Sequence, residues 1–387
     1  MIFRKSLIAA LIVLTLTTLL PMLVRAMAIQ STGLPSSLTD KDFWRLIVDL
    51  SERGGDFSNE NFVSNELQYQ DVVPALKVTT KPGGVYIGVG PEQNFTYASV
   101  LQSKLAFVID IRRQNMLELL MYKALFDMSP TRTDFVSNLF SRVRPAGLDT
   151  KATPAALFAA IDSATADPTL LAKNLQAIKS YMTAHGYQLS SEDVATIEKV
   201  YQAFYRLGTR ITYDSGNAAG VGARGFANYS RLMSTTDNTG RNSSFLANEE
   251  NYQYVREMQR KNLIIPLVGD FAGPAAIRNV ARYLTERKLT VGVFYISNVE
   301  TYLDDAQKQK FYENVTTLPV DTSSMFIRHI LGNPARGLTW WRPGMSNVST
   351  VAPMTEFINQ IKSGRRPTFD EIVRETKDPA VLSGPSR

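Results

Sequence analysis

The chain has 387 residues, 44% of them hydrophobic, no cysteine and a formal net charge of +6. That length suits one large or two moderate domains, and the absence of cysteine excludes disulfides, thiol nucleophiles and thiolate metal sites. Arg4, Lys5 and Arg25 carry three of the six net positive charges, so the remainder is too mildly basic to argue for a nucleic-acid partner.

Residues 1–28 read as a signal peptide. Arg4 and Lys5 form a positive start, Ser6–Leu20 is apolar or small throughout, Pro21 breaks the run, and Ala26-Met27-Ala28 is a small-x-small cleavage site. Cleavage there makes Ile29 the mature start. The alternative is an uncleaved inner-membrane anchor, because apolar character over residues 6–24 nearly reaches the length of a span. In both cases the charge at the N-terminus directs the rest of the chain outward. The expectation is an exported, periplasmic or secreted protein that meets the membrane only through this segment.

A capped helix follows. Thr39 or Asp40 starts it, Phe43, Trp44, Ile47, Val48 and Leu50 form its apolar stripe, and Gly54-Gly55 ends it. The polar run from Ser51 to Asn65 reads as a loop. Asp56, Glu60 and Glu66 fit no calcium-loop spacing and read as solvated surface.

Lys81–Asp110 is the centre of the pattern. Val85-Tyr86-Ile87 is a short apolar run of the kind that becomes a buried parallel strand. Gly88-Val89-Gly90 turns the chain directly after it, where glycine allows positive φ and removes the Cβ that would block a ligand. Pro91 and Glu92 suit the first turn of a helix. Ala106–Ile109 is a second apolar run ending in Asp110, about 20 residues beyond the glycines, the spacing at which a carboxylate meets a ribose whose nucleotide lies over the helix N-terminus. The third glycine of a dinucleotide fingerprint is replaced by Gln93, so a βαβ unit whose glycines serve packing alone is the alternative.

Met116–Met128 has helical spacing, and Arg112 and Arg113 stand at its start. Cations there oppose the helix dipole, which makes them candidates for holding an anion or for pairing with Asp110. Thr131–Leu207 reads as a helical insertion covering one end of the sheet, with His185 at a helix C-terminus. Ile211–Gly240 is a polar loop rich in Gly, Asn, Ser and Thr, long enough to be functional or mobile, with Leu232-Met233 as a short strand. Another helix opens at Ser243 and runs to Arg260.

Leu263–Val268 is a strongly apolar strand ending in Gly269-Asp270, and Leu289–Ile296 is the next, ending in Ser297-Asn298-Val299-Glu300. Gly88 and Gly90, Asp270 and Asn298 therefore converge at one sheet edge, the carboxyl ends of the strands, where open α/β sheets bind ligands. Ser323–Ile330 and Gly337–Arg342 read as an antiparallel edge pair, with His329 as a strand side chain. Val351–Ile361 reads as helix, and residues 363–387 as a basic, partly disordered tail.

The segments IGVGPEQNFTY, AFVIDIRRQN, SFLANEENY, VGDFAGP, FYISNVE and NVTTLPVDTSSMFIR together resemble a bacterial family of uncharacterised proteins whose fold is like the class I S-adenosylmethionine-dependent methyltransferases. The resemblance runs from about Phe57 to Ile330. It implies a doubly wound, mostly parallel sheet within one α/β domain over residues 29–350. It also implies Gly88 and Gly90 against the methionine part of the cofactor, with Glu92 beside them, and Asp110 on the ribose. Asp270 and Glu300 become candidate bases, with Arg112, Arg113 and Asn298 as ligand contacts; no metal is implied. The amino-group methylase motif Asn-Pro-Pro-Tyr is absent. Export would also separate the domain from a methyl donor made inside the cell. The expectation is therefore a binding or structural role at the sheet-edge cleft, on a small-molecule ligand, with methyl transfer from S-adenosylmethionine to an unknown acceptor as the alternative. The sequence has no Gly-x-Ser-x-Gly elbow for a hydrolase.

Overall fold

A computed structural model describes residues 33–214, 225–331, 338, 340 and 347–382. Residues 1–28, read above as a signal peptide, and the glycine-rich stretch at 220–224 lie outside the described residues. Among those described, no helix is long and apolar enough to cross a membrane.

Six strands form one sheet: β1 Val85–Gly88, β2 Leu105–Asp110, β3 Ile264–Val268, β4 Val291–Ser297, β5 Val320–Leu331 and β6 Asn347–Pro353. Their order is β3-β2-β1-β4-β5-β6. All neighbours are parallel except β5 and β6, which pair antiparallel from Met325–Pro353 to Leu331–Asn347. Every residue of β1, β2 and β3 is buried, which explains their continuous apolar runs: a parallel strand covered on both faces has no side left to be polar. Pro266 interrupts the donor row of β3, and β3 is the edge strand, where a missing N–H is tolerated.

The helices are α1 Asp40–Leu50, α2 Val73–Thr79, α3 Gln93–Val100, α4 Arg113–Met128, α5 Arg132–Phe140, α6 Pro154–Ser163, α7 Pro168–Ala184, α8 Ser191–Leu207, α9 Tyr229–Ser234, α10 Glu249–Arg260, α11 Ala276–Glu286, α12 Asp305–Val315, α13 Met354–Lys362, α14 Phe369–Glu375 and α15 Pro379–Leu382. Right-handed crossovers place the connections of β1-β2-β3 on one face of the sheet and those of β3-β4-β5 on the other. The packing agrees. α3 and α4 meet α10, while α11 meets α1 and α12, and α12 meets α13. The chain runs outward from β1 to β3, then returns to the other side of β1 as β4. The switch point lies between β1 and β4, and a crevice opens there above the strand ends.

Helices α5 to α8 form the block expected over 131–207, and α8 packs along α4. Capping boxes at Thr131 with Asp134 and at Ser190 with Asp193 set two of its starts.

Some expectations fail. The partner of β5 is Asn347–Pro353 rather than Gly337–Arg342, most of which lies outside the described residues. The helix expected from Val351 begins only at Met354, because Val351 pairs with Ile327. Leu232 and Met233 sit in a short helix capped by Asn228, not a strand. The helix expected from Ser243 begins at Glu249, where the Asn248 side chain accepts from Asn251 N. The described part of the tail, to Leu382, carries helices α14 and α15. Its helix α14 buries Ile372 and Val373, and Trp340 Nε1 donates to Thr376 O at 2.9 Å. Those apolar positions are too few to stand out in a basic, proline-bearing sequence.

Candidate functional site

A cavity of about 300 Å³ opens above the carboxyl ends of β1 to β4. Its walls come from the loop after α1, the turn after β1, and the residues that end β2, β3 and β4. Gly90, Asp110, Arg112, Asp270 and Asn298 line it, so five of the nine residues singled out from the sequence meet there. Gly88, Glu92, Arg113 and Glu300 do not.

The turn after β1 is clamped from inside. Asn94 Nδ2 donates to the carbonyls of Val89 (3.0 Å), Gly90 (3.0 Å) and Pro91 (2.7 Å), and its Oδ1 accepts from Tyr86 Oη at 2.8 Å. A Cβ on Gly88 would lie 2.0 Å from Asn94 Oδ1 and 2.6 Å from Tyr86 Oη. Gly88 is therefore required by this clamp, and it does not line the cavity. Gly90 differs: its φ is +78° and a Cβ there would meet nothing within 4 Å, so its backbone is open to the cavity.

Glu92 sits behind this turn, fully buried, with Oε1 accepting from Ser64 N at 3.3 Å. Burial pushes its carboxyl up to about 7 against the two backbone hydrogen bonds it receives. It serves the turn from within and does not line the cavity.

Asp110 and Arg112 form a buried ion pair. Nε lies 3.0 Å from Oδ1 and Nη2 lies 2.8 Å from Oδ2, while Arg112 N also donates to Oδ1 at 2.9 Å. Burial pulls the guanidinium pKa down, and Asp110 outweighs it, leaving a net rise. Both oxygens of the expected ribose acceptor are thus engaged. Arg113 is half exposed and belongs to a different contact, donating from Nε to Asp193 Oδ1 at 2.6 Å and from Nη2 to Oδ2 at 2.8 Å. It ties α4 to the start of α8 and does not line the cavity.

Glu300 is removed from the chemistry as well. Arg328 Nε donates to its Oε2 at 2.9 Å, with both side chains buried. Paired with Arg328, Glu300 is not among the residues that line the cavity. Asp270 remains in place. Its Oδ1 accepts from Ala272 N at 2.9 Å, and the loop that carries it is held by Glu52, which accepts from Asp270 N at 3.0 Å and Ala275 N at 2.7 Å.

The sequence reading missed the residue at the centre of the wall. Glu66, placed on the surface above, is 1% exposed and lines the cavity. Tyr295 Oη donates to Oε1 at 2.8 Å, Ser297 Oγ donates to the same oxygen, and Gln93 Nε2 donates to Oε2 at 2.9 Å. His329 is the buried strand side chain expected, and its Nδ1 lies 3.6 Å from Glu66 Oε2 and 3.1 Å from Ser349 Oγ. Burial lowers the imidazole pKa, against the pull of Glu66.

Ser297, at the end of β4, has φ +52°. A non-glycine residue in the left-handed region carries backbone strain that a functional wall can retain. No local signal in Ser64-Asn65-Glu66 marks it: three polar residues in a loop read as solvated until β4 closes over them. Phe57, Tyr213, Tyr295 and Tyr302 supply aromatic wall. Among the described residues, no group of three or more acidic or histidine side chains is placed to hold a metal ion.

A comparison with curated proteins finds no match. A family model does match: the domain of unknown function DUF7790, over residues 61–379, spans well over half of the chain, all six strands and the central wall of the cavity. The chain belongs to that family.

Proposed function

We propose that the crevice between β1 and β4 binds a small organic molecule, and that the chain is a binding protein for it. The observation that carries this is the position of the cavity. It lies at the switch point of a doubly wound sheet, where the connections leave β1 and enter β4 on opposite faces and a gap opens above the strand ends. Asp270, Asn298, Ser297 and the open turn at Gly90 offer hydrogen-bonding groups around it.

Methyl transfer from S-adenosylmethionine is the second reading. It is favoured by the strand order and by the presence of Gly90 and Asp110 in one wall. Against it stand the engagement of Asp110 by Arg112 and of Glu300 by Arg328, which leave Asp270 as the base on offer. We also propose that residues 1–28 export the chain, which would leave this reading without a donor; N-terminal sequencing of the mature chain beginning at Ile29 would check it.

The test is calorimetric titration and thermal shift of the full-length chain with S-adenosylmethionine, S-adenosylhomocysteine and adenosine, beside an Asn65→Trp variant. Asn65 is half-buried in the cavity wall, so tryptophan there fills the crevice. Binding lost in the variant supports the ligand site. Methyl transfer also requires turnover of the donor, and binding without turnover leaves the binding role.

A further inference from the structure

We infer that the crevice selects a small organic cation, an ammonium or a sulfonium, and that Glu66 is the residue that recognises its charge. This rests on the reading of the crevice as a ligand site.

The charge around the cavity is lopsided. Among the described residues lining it, Asp56, Glu66, Asp110 and Asp270 are carboxylates, and Arg112 is the one guanidinium or ammonium. Arg112 is already consumed by Asp110 at 2.8 Å. No Lys or Arg of the described residues lies within ion-pair distance of Asp56, Glu66 or Asp270.

Glu66 is the telling member, since Asp56 is exposed and solvated. A fully buried carboxylate is rare unless it is paired. Here the three donors from Tyr295, Ser297 and Gln93 are all neutral; they stabilise the anionic form without cancelling its charge. The neighbouring imidazole of His329 is buried as well, with Nδ1 3.6 Å from Glu66 Oε2, and burial lowers its pKa. A cation in the crevice would complete the arrangement.

The rest of the wall agrees. Phe57 and Tyr302 meet edge to face at 5.0 Å between ring centroids, and Tyr213 and Tyr295 line the same space. Aromatic faces attract alkylated ammonium and sulfonium groups, the more so when these are desolvated. An anion would meet three carboxylates with no partner to spare, and a neutral ligand would leave Glu66 buried and uncompensated.

The experiment compares charged ligands with uncharged isosteres on the full-length chain. Choline is titrated beside 3,3-dimethyl-1-butanol, and S-adenosylmethionine beside S-adenosylhomocysteine, so that the two pairs separate an ammonium from a sulfonium preference. The expected result is that the charged member of one pair binds at least about tenfold tighter. Glu66→Gln, checked for native circular dichroism, should lose that preference, and Asn65→Trp should lose both ligands. Equal binding of charged and uncharged members overturns the cation assignment and leaves the crevice a ligand site. A preference that survives in a folded Glu66→Gln overturns the role of Glu66. Binding by no probe, or binding untouched by Asn65→Trp, overturns the ligand site and the cation assignment with it. If Glu66→Gln fails to fold, the isostere comparison on the native chain decides alone.

Discussion

Arg112 holds Asp110 through one edge of its guanidinium, Nε to Oδ1 at 3.0 Å and Nη2 to Oδ2 at 2.8 Å, with both side chains nearly out of contact with water. The pair stands at the end of β2, where a free carboxylate was expected to meet a ribose. Its geometry makes it part of the wall before any ligand arrives. Arg112→Met should therefore strand a buried carboxylate and cost about 3–5 kcal/mol of stability. The double variant Asp110→Leu, Arg112→Met should recover most of that loss. Urea denaturation of Arg112→Met, Asp110→Leu and the double variant beside the native chain gives the coupling energy directly.

Glu300 and Arg328 make the second buried pair, 2.9 Å apart beneath the end of β4. Removing one partner leaves the other unpaired, so Glu300→Ala should lower stability by about 3–5 kcal/mol. Ligand affinity measured at a temperature where the variant is folded should stay unchanged, because Glu300 does not line the crevice. A selective loss of binding or turnover would instead return Glu300 to the site.

Lys123 is buried with its Nζ over the Phe43 ring at 4.9 Å and donating to Gln259 O. Burial lowers its pKa from 10.5 to about 7, with Asp40 and Asp127 pulling weakly the other way. Between those values the unfolded chain binds a proton that the folded chain does not, so stability rises with pH across this window. Below pH 7 the whole cost of burying the charge is present. Lys123→Met should raise stability by about 2–4 kcal/mol at pH 6 and much less at pH 10. Denaturant midpoints at the two pH values check it.

Glu92 has the opposite sign of shift and a different window. Its pKa is raised from 4.5 to about 7 by burial. From pH 4.5 to 7 the folded chain keeps a proton that the unfolded chain has released, so stability falls as pH rises through this range. Glu92→Gln should flatten that fall, stabilising the protein at pH 8 by about 1–3 kcal/mol and scarcely at pH 4. Hydrogen bonding to Ser64 N survives the change, since the amide oxygen still accepts.

The arrangement of the strands was legible in the sequence because parallel strands buried on both faces leave short, wholly apolar runs, and β1 to β4 are such runs. Strand ends were legible too: glycine or a polar residue must follow a buried strand, which marked Gly88, Gly90, Asp270 and Asn298. The helices of the insertion declared their starts through Pro154, Pro168, Thr131 and Ser190. The edge pair was half legible. β5 alternates clearly, whereas its partner follows a connection whose length is not set by any local rule.

Partnership was legible only in part: pairing of Arg112 with Asp110 was one of two alternatives, and the structure has it. Asp110 looked like a ligand contact and Arg112 and Arg113 looked alike, yet one arginine closes on Asp110 and the other reaches 80 residues along the chain to Asp193. Glu300 and Arg328 meet only because β4 and β5 are neighbours. Glu66 illustrates the limit most clearly. Its loop carries no periodic signal, and its burial is decided by Tyr295 and Ser297, more than 200 residues away in sequence. What the sequence by itself determined was local: where buried segments begin, turn and end, since burial and turn geometry act on neighbouring residues. Which charges are cancelled, and which carboxylate faces the crevice alone, depended on contacts between distant segments, and only the tertiary structure could decide them.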